Sequence, residues 1–361
     1  MKLLYIVPSI NHEGGVARVL SIKTNYLIEK FEYQIHILTQ NKGSFPLFYS
    51  FNENIVFHDL ILKGNVFKFF NTYRTSLKKN VEAIKPDVII VCDNGLKAYT
   101  IPFILKKNIP IILECHGSKY IEERKSAHVF FQKLKYKLKN FGAKRYTNLI
   151  ALSNESLEEW NVKNGAVISN PCWLQTDIPA ELKSKKVIVV ARNSYEKGLD
   201  RLLFIWEKVL QKHPNWILDI YGKEIDALEI QAVKFGIELK VNFNQSIKNI
   251  HEKYLESSIY VMTSRTEGFP MVLIEAMASG LPCIAYDCPC GPRAIIKDNV
   301  NGFLIEDGNV DLFVEKLNLL IEDKDLRKRL GKKAQESVTV YDLDEIMKQW
   351  KILFESLVIG E

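Results

Sequence analysis

One short stretch, Glu267–Pro282, with the sequence "EGFPMVLIEAMASGLP", places two carboxylates where they could bind a ligand. Glu267 stands beside a glycine turn, and Glu275 lies inside an almost wholly apolar run. Because an unpartnered buried charge is costly, Glu275 needs a partner. A vicinal diol is one candidate, since its two hydroxyls can donate to both carboxylate oxygens. A buried salt bridge to a lysine or arginine is the other.

The surrounding residues predict a strand, a turn and a helix around these two carboxylates. The strand "IYVMTS" ends near Ser264, and Pro270 fits the first position of the helix that follows. The backbone N–H groups of Gly268 and Phe269 then lie just ahead of that helix, where a negative group is favoured. Helical spacing puts Glu275 about one turn beyond this end, beside small residues that leave room for a ligand.

Two further turns carry groups suited to phosphate. Arg192 and Lys197 leave a predicted strand together in "VVARNSYEKGLDRLL", and they suit a diphosphate because guanidinium and ammonium both bind phosphate oxygens. Gly14 and Gly15 open the first predicted helix, where a glycine turn lets backbone N–H groups approach an anion. Solvated surface charges and an ordinary loop are the respective alternatives. The glycine spacing is not that of a dinucleotide fingerprint.

Apolar, β-branched runs alternate with amphipathic stretches along the chain, which indicates an α/β protein with parallel sheets covered by helices. The rhythm breaks at 170–185, which carries two prolines, and then restarts. This pattern predicts two doubly wound domains, with a closing helix at about 342–358. In such sheets ligands bind outside the carboxyl ends of the strands. The predicted strands are 2–7, 33–38, 87–92, 109–115 and 147–153 in the first half, and 186–192, 216–222, 239–244, 258–264 and 282–287 in the second.

Composition excludes several classes of protein. The chain has 361 residues, ordinary proportions of apolar and charged residues, and no run long enough to predict a membrane-spanning helix. The amino terminus predicts a first strand in place of a signal peptide. Six scattered cysteines lack zinc spacing and favour reduced thiols in a cytoplasmic protein. Asp342 and Asp344 spell the D-x-D pattern of some metal sites, but with Glu345 they are better explained as a helix cap.

The first half of the chain is basic. Residues 1–172 contain 24 Lys and Arg against 14 Asp and Glu, whereas the remainder contains 25 against 29. Residues 124–145 predict a basic amphipathic helix, with Phe130, Leu134, Leu138 and Phe141 on one face and Lys133, Lys135, Lys137 and Lys139 around the rest. Such a helix can bind an anionic membrane surface. A helix packed on the sheet with a solvated lysine face is the alternative, and no nucleic-acid motif is present.

Together these motifs resemble a known family, the retaining glycosyltransferases of family 4, also called glycosyltransferase group 1. "EGFPMVLIEAMASGLP" is similar to the family's Glu-x7-Glu signature, "ARNSYEKGLDRLL" to its Arg-x4-Lys-Gly segment, and "DNVNGFLIEDGN" to its Asn-Gly close. The match covers 186–338. In the first half of the chain the resemblance depends on Gly14 and Gly15, on His116 in "ECHGS", and on the predicted arrangement of two doubly wound domains.

The resemblance implies a GT-B fold of two doubly wound, Rossmann-like domains that face each other across a cleft. Residues 1–172 would form the acceptor-side domain, with the terminal helix 340–361 packed back on it. After a linker at 173–185, residues 186–339 would bind the nucleotide-sugar.

The resemblance also implies roles for single residues. Arg192 and Lys197 would hold the diphosphate, and Glu275 the ribose hydroxyls. Glu267, with Gly268, Phe269 and Pro270 of its turn, would hold the transferred sugar. Gly14 and Gly15 would approach the phosphates, and His116 would lie near the reacting sugar. One departure is Ala294, which stands where the family usually has an acid and puts one donor contact in doubt.

The implied function is transfer of a hexosyl unit, with retention, from a nucleotide-diphosphate sugar expected to be UDP-linked. The acceptor would be a glycan or a lipid-linked glycan in bacterial surface polysaccharide synthesis, such as lipopolysaccharide or capsule. No cofactor and no metal are expected, and the protein would be cytoplasmic, with peripheral contact to the inner face of the plasma membrane. Two alternatives stay open, a GT-B UDP-sugar epimerase and a non-catalytic partner subunit that binds a nucleotide-sugar.

Overall fold

The computed structural model describes residues 1–43, 45–63, 65–105, 108–120, 129–174, 176 and 178–359. The chain forms two compact units. Unit 1 combines Met1–Pro171 with Leu343–Glu361, and unit 2 is Cys172–Asp342. Each unit is a parallel sheet with helices, which confirms the predicted α/β fold class.

The sheet of unit 1 has the strand order β3-β2-β1-β4-β5-β6-β7, and every pairing in it is parallel. Its central strands are apolar because both of their faces are covered. Leu4 and Ile6 of the first strand lie in one hydrophobic cluster, whereas Leu3 and Tyr5 lie in another. The strands are β1 (Lys2–Ile6), β2 (Gln34–Gln40), β3 (Val56–Leu60), β4 (Val88–Val91), β5 (Ile111–Cys115), β6 (Asn148–Ala151) and β7 (Gly165–Val167).

The helices of unit 1 include the last helix of the chain, which packs against the core formed by the first strands. From this helix Ile346, Met347, Trp350 and Phe354 are buried. The helices are α1 (Gly15–Phe31), α2 (Val66–Ile84), α3 (Ile101–Ile104), α4 (Val129–Ala143), α5 (Asn154–Glu158) and α13 (Leu343–Ile359).

The sheet of unit 2 has the order β10-β9-β8-β11-β12-β13, again with parallel pairings. Its strands are β8 (Lys186–Val190), β9 (Ile217–Tyr221), β10 (Val241–Asn244), β11 (Ile259–Met262), β12 (Cys283–Asp287) and β13 (Phe303–Glu306). Its helices are α6 (Leu199–Leu210), α7 (Asp226–Lys234), α8 (His251–Leu255), α9 (Met271–Ala278), α10 (Pro292–Ile295), α11 (Val310–Glu322) and α12 (Lys324–Ser337).

Both sheets reverse their winding at one point, between β1 and β4 in unit 1 and between β8 and β11 in unit 2. The loops that leave two such neighbouring strands diverge to opposite faces and open a crevice at the sheet edge, which is where ligands bind in doubly wound folds. The topology therefore brings the segments after β8 and β11 together. These segments carry Arg192, Lys197 and Glu267.

Some details differ from the sequence predictions. Strands β3, β7 and β13 are absent from them; β3 is an edge strand with exposed residues, and β7 has only three residues, so neither has a continuous apolar pattern. Pro270 caps α9 from outside with extended backbone, and the helix begins at Met271. The terminal helix begins at Leu343, directly after Asp342, as expected for a helix cap.

Helix α4 differs from its prediction in one lysine, because Lys139 is buried and its ammonium donates to the backbone oxygen of Lys119 at 3.4 Å. Lys133 and Lys137 are exposed. Residues two apart on a helix point to nearly opposite sides, so an unbroken i, i+2 series of lysines cannot all face water. The part of the prediction that falls on 124–128, and on the side chain of Phe130, lies outside the described residues.

Candidate functional site

The clearest site geometry lies at the switch point of unit 2, where the segments after β8 and β11 meet. The Lys197 ammonium lies 2.7 and 2.8 Å from the two carboxylate oxygens of Glu267. Glu267 is 7% exposed and Lys197 25%. An ammonium has three protons, and two of them are directed at this carboxylate. Lys197 is therefore held in place while part of its head still faces solvent.

Glu267 is fixed from two further sides. The Ser264 hydroxyl donates to one of its carboxylate oxygens at 2.6 Å, and its own backbone N–H donates to the oxygen of Pro289 at 3.3 Å. Gly291 packs against the same turn with φ +152, and a side chain there would contact Glu267 and clash with the ring of Pro270. The loop after β12 thus packs against the Glu267 turn and helps to hold it in place.

The turn that carries Lys197 depends on Gly198. This residue has φ +63, a left-handed conformation that glycine adopts without strain, and an added side chain would clash with the backbone oxygen of Thr263. The Thr263 hydroxyl in turn donates to the Gly198 oxygen at 2.9 Å. Close approach of the two backbones is what lets Lys197 reach Glu267.

A second clamp joins the same two segments. The Arg265 guanidinium donates to both carboxylate oxygens of Asp200, at 2.8 and 2.6 Å, and its backbone N–H donates to the Glu196 oxygen at 2.7 Å. Such a bidentate pair has a defined orientation as well as a charge. Arg192, the other predicted diphosphate ligand, lies just after β8 with an exposed side chain.

Glu275 lies on α9 and is fully buried. The indole N–H of Trp173 donates to one carboxylate oxygen at 2.7 Å, and the Tyr254 hydroxyl to the other at 3.3 Å. Both of these partners are neutral hydrogen-bond donors. The small residues Ala278, at the end of the helix, and Ser279, just after it, are also buried.

The remaining residues predicted around this turn form part of its packing. Phe269 is buried and makes an edge contact with the ring of Tyr341, with 5.3 Å between ring centroids. Gly268 is partly exposed at the end of the turn, and Pro270 is buried. The predicted contacts of the Gly268 and Phe269 N–H groups with a sugar stay a prediction.

His116, Gly14 and Gly15 belong to unit 1. Gly15 is the first residue of α1, as predicted, and the Gly14 N–H donates to the ring of His12 at 3.0 Å. His116 follows β5 with a side chain that is 7% exposed, and its Nε2 lies 3.3 Å from a carboxylate oxygen of Glu114. Burial lowers the pKa of His116, an effect that nearby Lys23 reinforces and Glu114 opposes.

Beneath His116 lies a buried ion pair that sequence reasoning missed. The Lys23 ammonium is 2.6 Å from Glu114, with side chains 2% and 1% exposed, and it lies 3.6 Å from the ring centre of Trp350. Burial by itself raises the pKa of Glu114, but Lys23 and His116 outweigh it and the net pKa is lowered. One lysine inside an amphipathic helix and one glutamate inside an apolar strand were the only sequence signals.

Ligand atoms of Cys92, Glu114 and His116 lie within 4.8 Å of one another, close enough to hold a metal ion. Lys23 already supplies the positive charge for this carboxylate, and burial raises the pKa of the Cys92 thiol well above its usual range, so the thiolate form is disfavoured. The group is therefore satisfied as a buried ionic cluster. All six cysteines are buried, and none of them forms a disulfide.

Sequence reasoning also missed Trp173, Tyr254 and Ser264. Ser264 was recognisable in principle, because it lies in the short segment between β11 and the Glu267 turn. Trp173 lies in the segment that was predicted to be a linker, and Tyr254 lies on a separate helix, so only the folded chain brings them to Glu275.

Comparison with known proteins shows the family of this chain. A family model described as glycosyl transferases group 1 matches residues 175–337, and one described as glycosyl transferase 4-like matches residues 16–153. An amylovoran biosynthesis glycosyltransferase of Erwinia amylovora, AmsD, is 30% identical over 97% of this chain and 98% of its own. An uncharacterized glycosyltransferase of Haemophilus influenzae is 29% identical over 97% and 99%.

Solved structures show the same fold at lower identity. TarM of S. aureus superposes with a TM-score of 0.82 at 16% identity, covering 98% of both chains. Anabaena Alr3699/HepE, solved with UDP and glucose, gives 0.77 at 19% identity and covers 99% of this chain and all of its own. The two doubly wound sheets are thus those of a GT-B protein, and the predicted fold is confirmed. The chain belongs to the group 1 glycosyltransferases.

Among the residues described, helices are too short or too polar to cross a membrane.

Proposed function

We propose that this glycosyltransferase moves a hexosyl unit, with retention, from a nucleotide-diphosphate sugar, expected to be UDP-linked, to a glycan or lipid-linked acceptor of a bacterial surface polysaccharide. The observation that carries the proposal is the contact of Lys197 with Glu267 at the switch point of unit 2. It places a held cation at the crevice where a doubly wound sheet binds its ligand.

In this proposal the phosphates of the donor bind to Lys197 and Arg192. Two protons of the Lys197 ammonium are directed at Glu267, which leaves the third for a phosphate oxygen. The Glu267 carboxylate, fixed by Lys197 and Ser264, would receive hydroxyls of the transferred sugar. Glu275 would receive the ribose hydroxyls, and His116 and Gly15 would act from unit 1 as the resemblance implies.

The proposed reaction is a front-face displacement. The bond from the anomeric carbon to the diphosphate oxygen breaks, and the acceptor oxygen bonds to that carbon on the same face. The acceptor proton passes to the leaving diphosphate. Lys197 and Arg192 would stabilise the negative charge that develops on this diphosphate, which is the kind of interaction that lowers a barrier most. The proposed chemistry needs no metal.

The relatives support the choice of donor and acceptor class. AmsD is named for amylovoran biosynthesis, and a lipopolysaccharide 1,6-galactosyltransferase of Escherichia coli is 34% identical over 43% of this chain. A Campylobacter jejuni relative, 23% identical over 97% of the chain, is named for transfer to an undecaprenol-linked glycan. HepE was solved with UDP-glucose.

The surface of α4 supports a membrane-bound acceptor. Leu134, Leu138 and Phe141 follow one another at helical spacing and are 48%, 51% and 55% exposed. Phe103 stacks on Phe141 with 5.4 Å between centroids, and Arg145 lies within 6 Å of both rings. Apolar side chains flanked by basic residues suit the headgroup region of an anionic membrane. We propose that this surface binds the cytoplasmic face of the plasma membrane.

The experiment that tests the function combines transfer and binding. Purified protein is incubated with a panel of UDP- and GDP-sugars and a lipid-linked glycan, and the anomeric configuration of the product is determined by NMR. We expect one donor to be consumed only when acceptor is present, and chelator to leave the rate unchanged. Consumption without acceptor would favour an epimerase, whereas inversion or rescue by magnesium after chelation would contradict the proposed mechanism.

Two variants test the assigned residues. Glu275→Gln should weaken UDP binding about tenfold, because a hydrogen bond to a charged group contributes about 1.5–3 kcal/mol. The same substitution should weaken the binding of 2′-deoxy-UDP less. Lys197→Ala should lower kcat by roughly 100-fold or more, as loss of a group that stabilises developing charge does. Glu229→Gln, an exposed glutamate of α7, is the matched control. Unchanged kinetics in both variants would remove the assignment.

A further inference from the structure

Glu275 is fully enclosed, although the proposed function requires it to meet a ligand. The Trp173 N–H and the Tyr254 hydroxyl each bind one carboxylate oxygen. At 2.7 Å the Trp173 contact has the length of a charge-assisted hydrogen bond. The buried charge is therefore satisfied before any ligand arrives, and a ribose must compete with a group that the protein itself provides.

Trp173 and Tyr254 differ in their freedom to move. Tyr254 is buried on α8. Trp173 is partly exposed, and it lies in a segment that is neither helix nor strand. Trp173 is thus the partner that lies toward solvent, and displacement of its indole would uncover the carboxylate without disturbing a helix.

We propose that Trp173 is a placeholder for the ligand, whose indole N–H occupies the carboxylate of Glu275 and is replaced by a ribose hydroxyl when the donor binds. This inference rests on the proposed function of Glu275. It makes binding conditional, because a ligand without the hydroxyl would leave a buried carboxylate short of a donor, and such a loss is costly. Trp173 then makes the site select ligands that carry this hydroxyl.

The proposal predicts that removing the indole strengthens nucleotide binding. In Trp173→Phe the carboxylate loses the donor that UDP would otherwise displace, so we expect UDP to bind about five- to tenfold more tightly. A residue that merely positions Glu275 would produce weaker binding on the same substitution. In a Glu275→Gln background, Trp173→Phe should leave UDP affinity nearly unchanged, since the effect acts through the carboxylate.

The affinities of the full chain for UDP and for GDP are measured by calorimetric titration. Trp216→Phe is the matched control, since it removes a buried indole of the same unit that packs on Arg327. In protein labelled with 5-fluorotryptophan, the fluorine resonance that disappears in Trp173→Phe should shift when the nucleotide is added to the wild type. That resonance reports the movement independently of affinity.

The outcomes separate the two proposals. If wild type binds neither nucleotide, the proposed function fails and the placeholder with it. If wild type binds UDP and Glu275→Gln weakens it, but Trp173→Phe binds UDP equally or less tightly, the function stands and the placeholder is wrong. A Trp173 resonance that does not respond to bound UDP would also overturn the placeholder.

Discussion

Replacing Glu114 by glutamine should leave a buried ammonium without its counter-charge. Lys23 and Glu114 are 2% and 1% exposed, so solvent does little to screen their interaction. Removing one partner of such a pair typically costs about 3–5 kcal/mol. The ring of Trp350, 3.6 Å from the ammonium, still stabilises the cation. We therefore expect the lower end of the range, about 3 kcal/mol, for Glu114→Gln.

Two further variants distinguish a coupled pair from two independent residues. Lys23→Met keeps the length of the side chain but leaves Glu114 with His116 as its remaining basic neighbour, so a loss of about 3 kcal/mol or more is expected. In the double variant no unpaired charge remains. Its free energy of unfolding should then fall by clearly less than the sum of the single effects.

Hydrogen exchange measured by mass spectrometry suits this test, because two units need not unfold as one transition. Peptides of β5 and α1 should exchange about 100-fold faster in each single variant, the factor that corresponds to about 3 kcal/mol. Peptides of unit 2 serve as the internal control. Strictly additive losses in the double variant would refute the assignment of a coupled buried pair.

Three further predictions follow from other parts of the molecule. Because burial lowers the pKa of His116, the unfolded chain takes up a proton below about pH 6.5 that the folded chain does not. Stability should therefore fall as the pH drops below about 6.5, and His116→Gln should flatten that dependence in urea titrations. Gly198→Ala should cost roughly 1–3 kcal/mol and most of the activity, whereas Gly236→Ala, at a similar φ of +67 but in open space, should preserve activity; equal losses would contradict the close-approach argument. Replacing Leu138 and Phe141 together by serine should abolish sedimentation with phosphatidylglycerol vesicles, whereas serine at the exposed Leu239 of unit 2 should not. Unaltered sedimentation of the double variant would show that the α4 surface does not bind the membrane.

The fold was largely predictable because buried parallel strands have a simple sequence signature. β1 and β4 are continuous apolar runs, covered on both faces, and the alternation with helices predicts a doubly wound sheet. The edge strand β3, with polar and apolar residues in no clear alternation, gives no such signal. Local pattern therefore identifies the centre of each sheet better than its edges.

The candidate site was predictable only where its residues lie close to strand ends. Lys197 and Glu267 follow neighbouring strands, so topology alone brings their segments together, and their contact of 2.7 Å confirms that proximity. The partners of Glu275 could not be predicted, because Trp173 is 102 positions away in the chain and packing decides its place. The same holds for Lys139, whose burial depends on the surface that α4 covers.

The two units differ in the order in which their residues are synthesised. Unit 2 is one continuous segment, whereas unit 1 needs both the first 171 residues and the helix that begins at Leu343. All of unit 2 is therefore synthesised before Trp350, whose ring lies over the ammonium of Lys23. Unit 1 cannot complete its hydrophobic core until Trp350 has been made, although most of its residues are synthesised first.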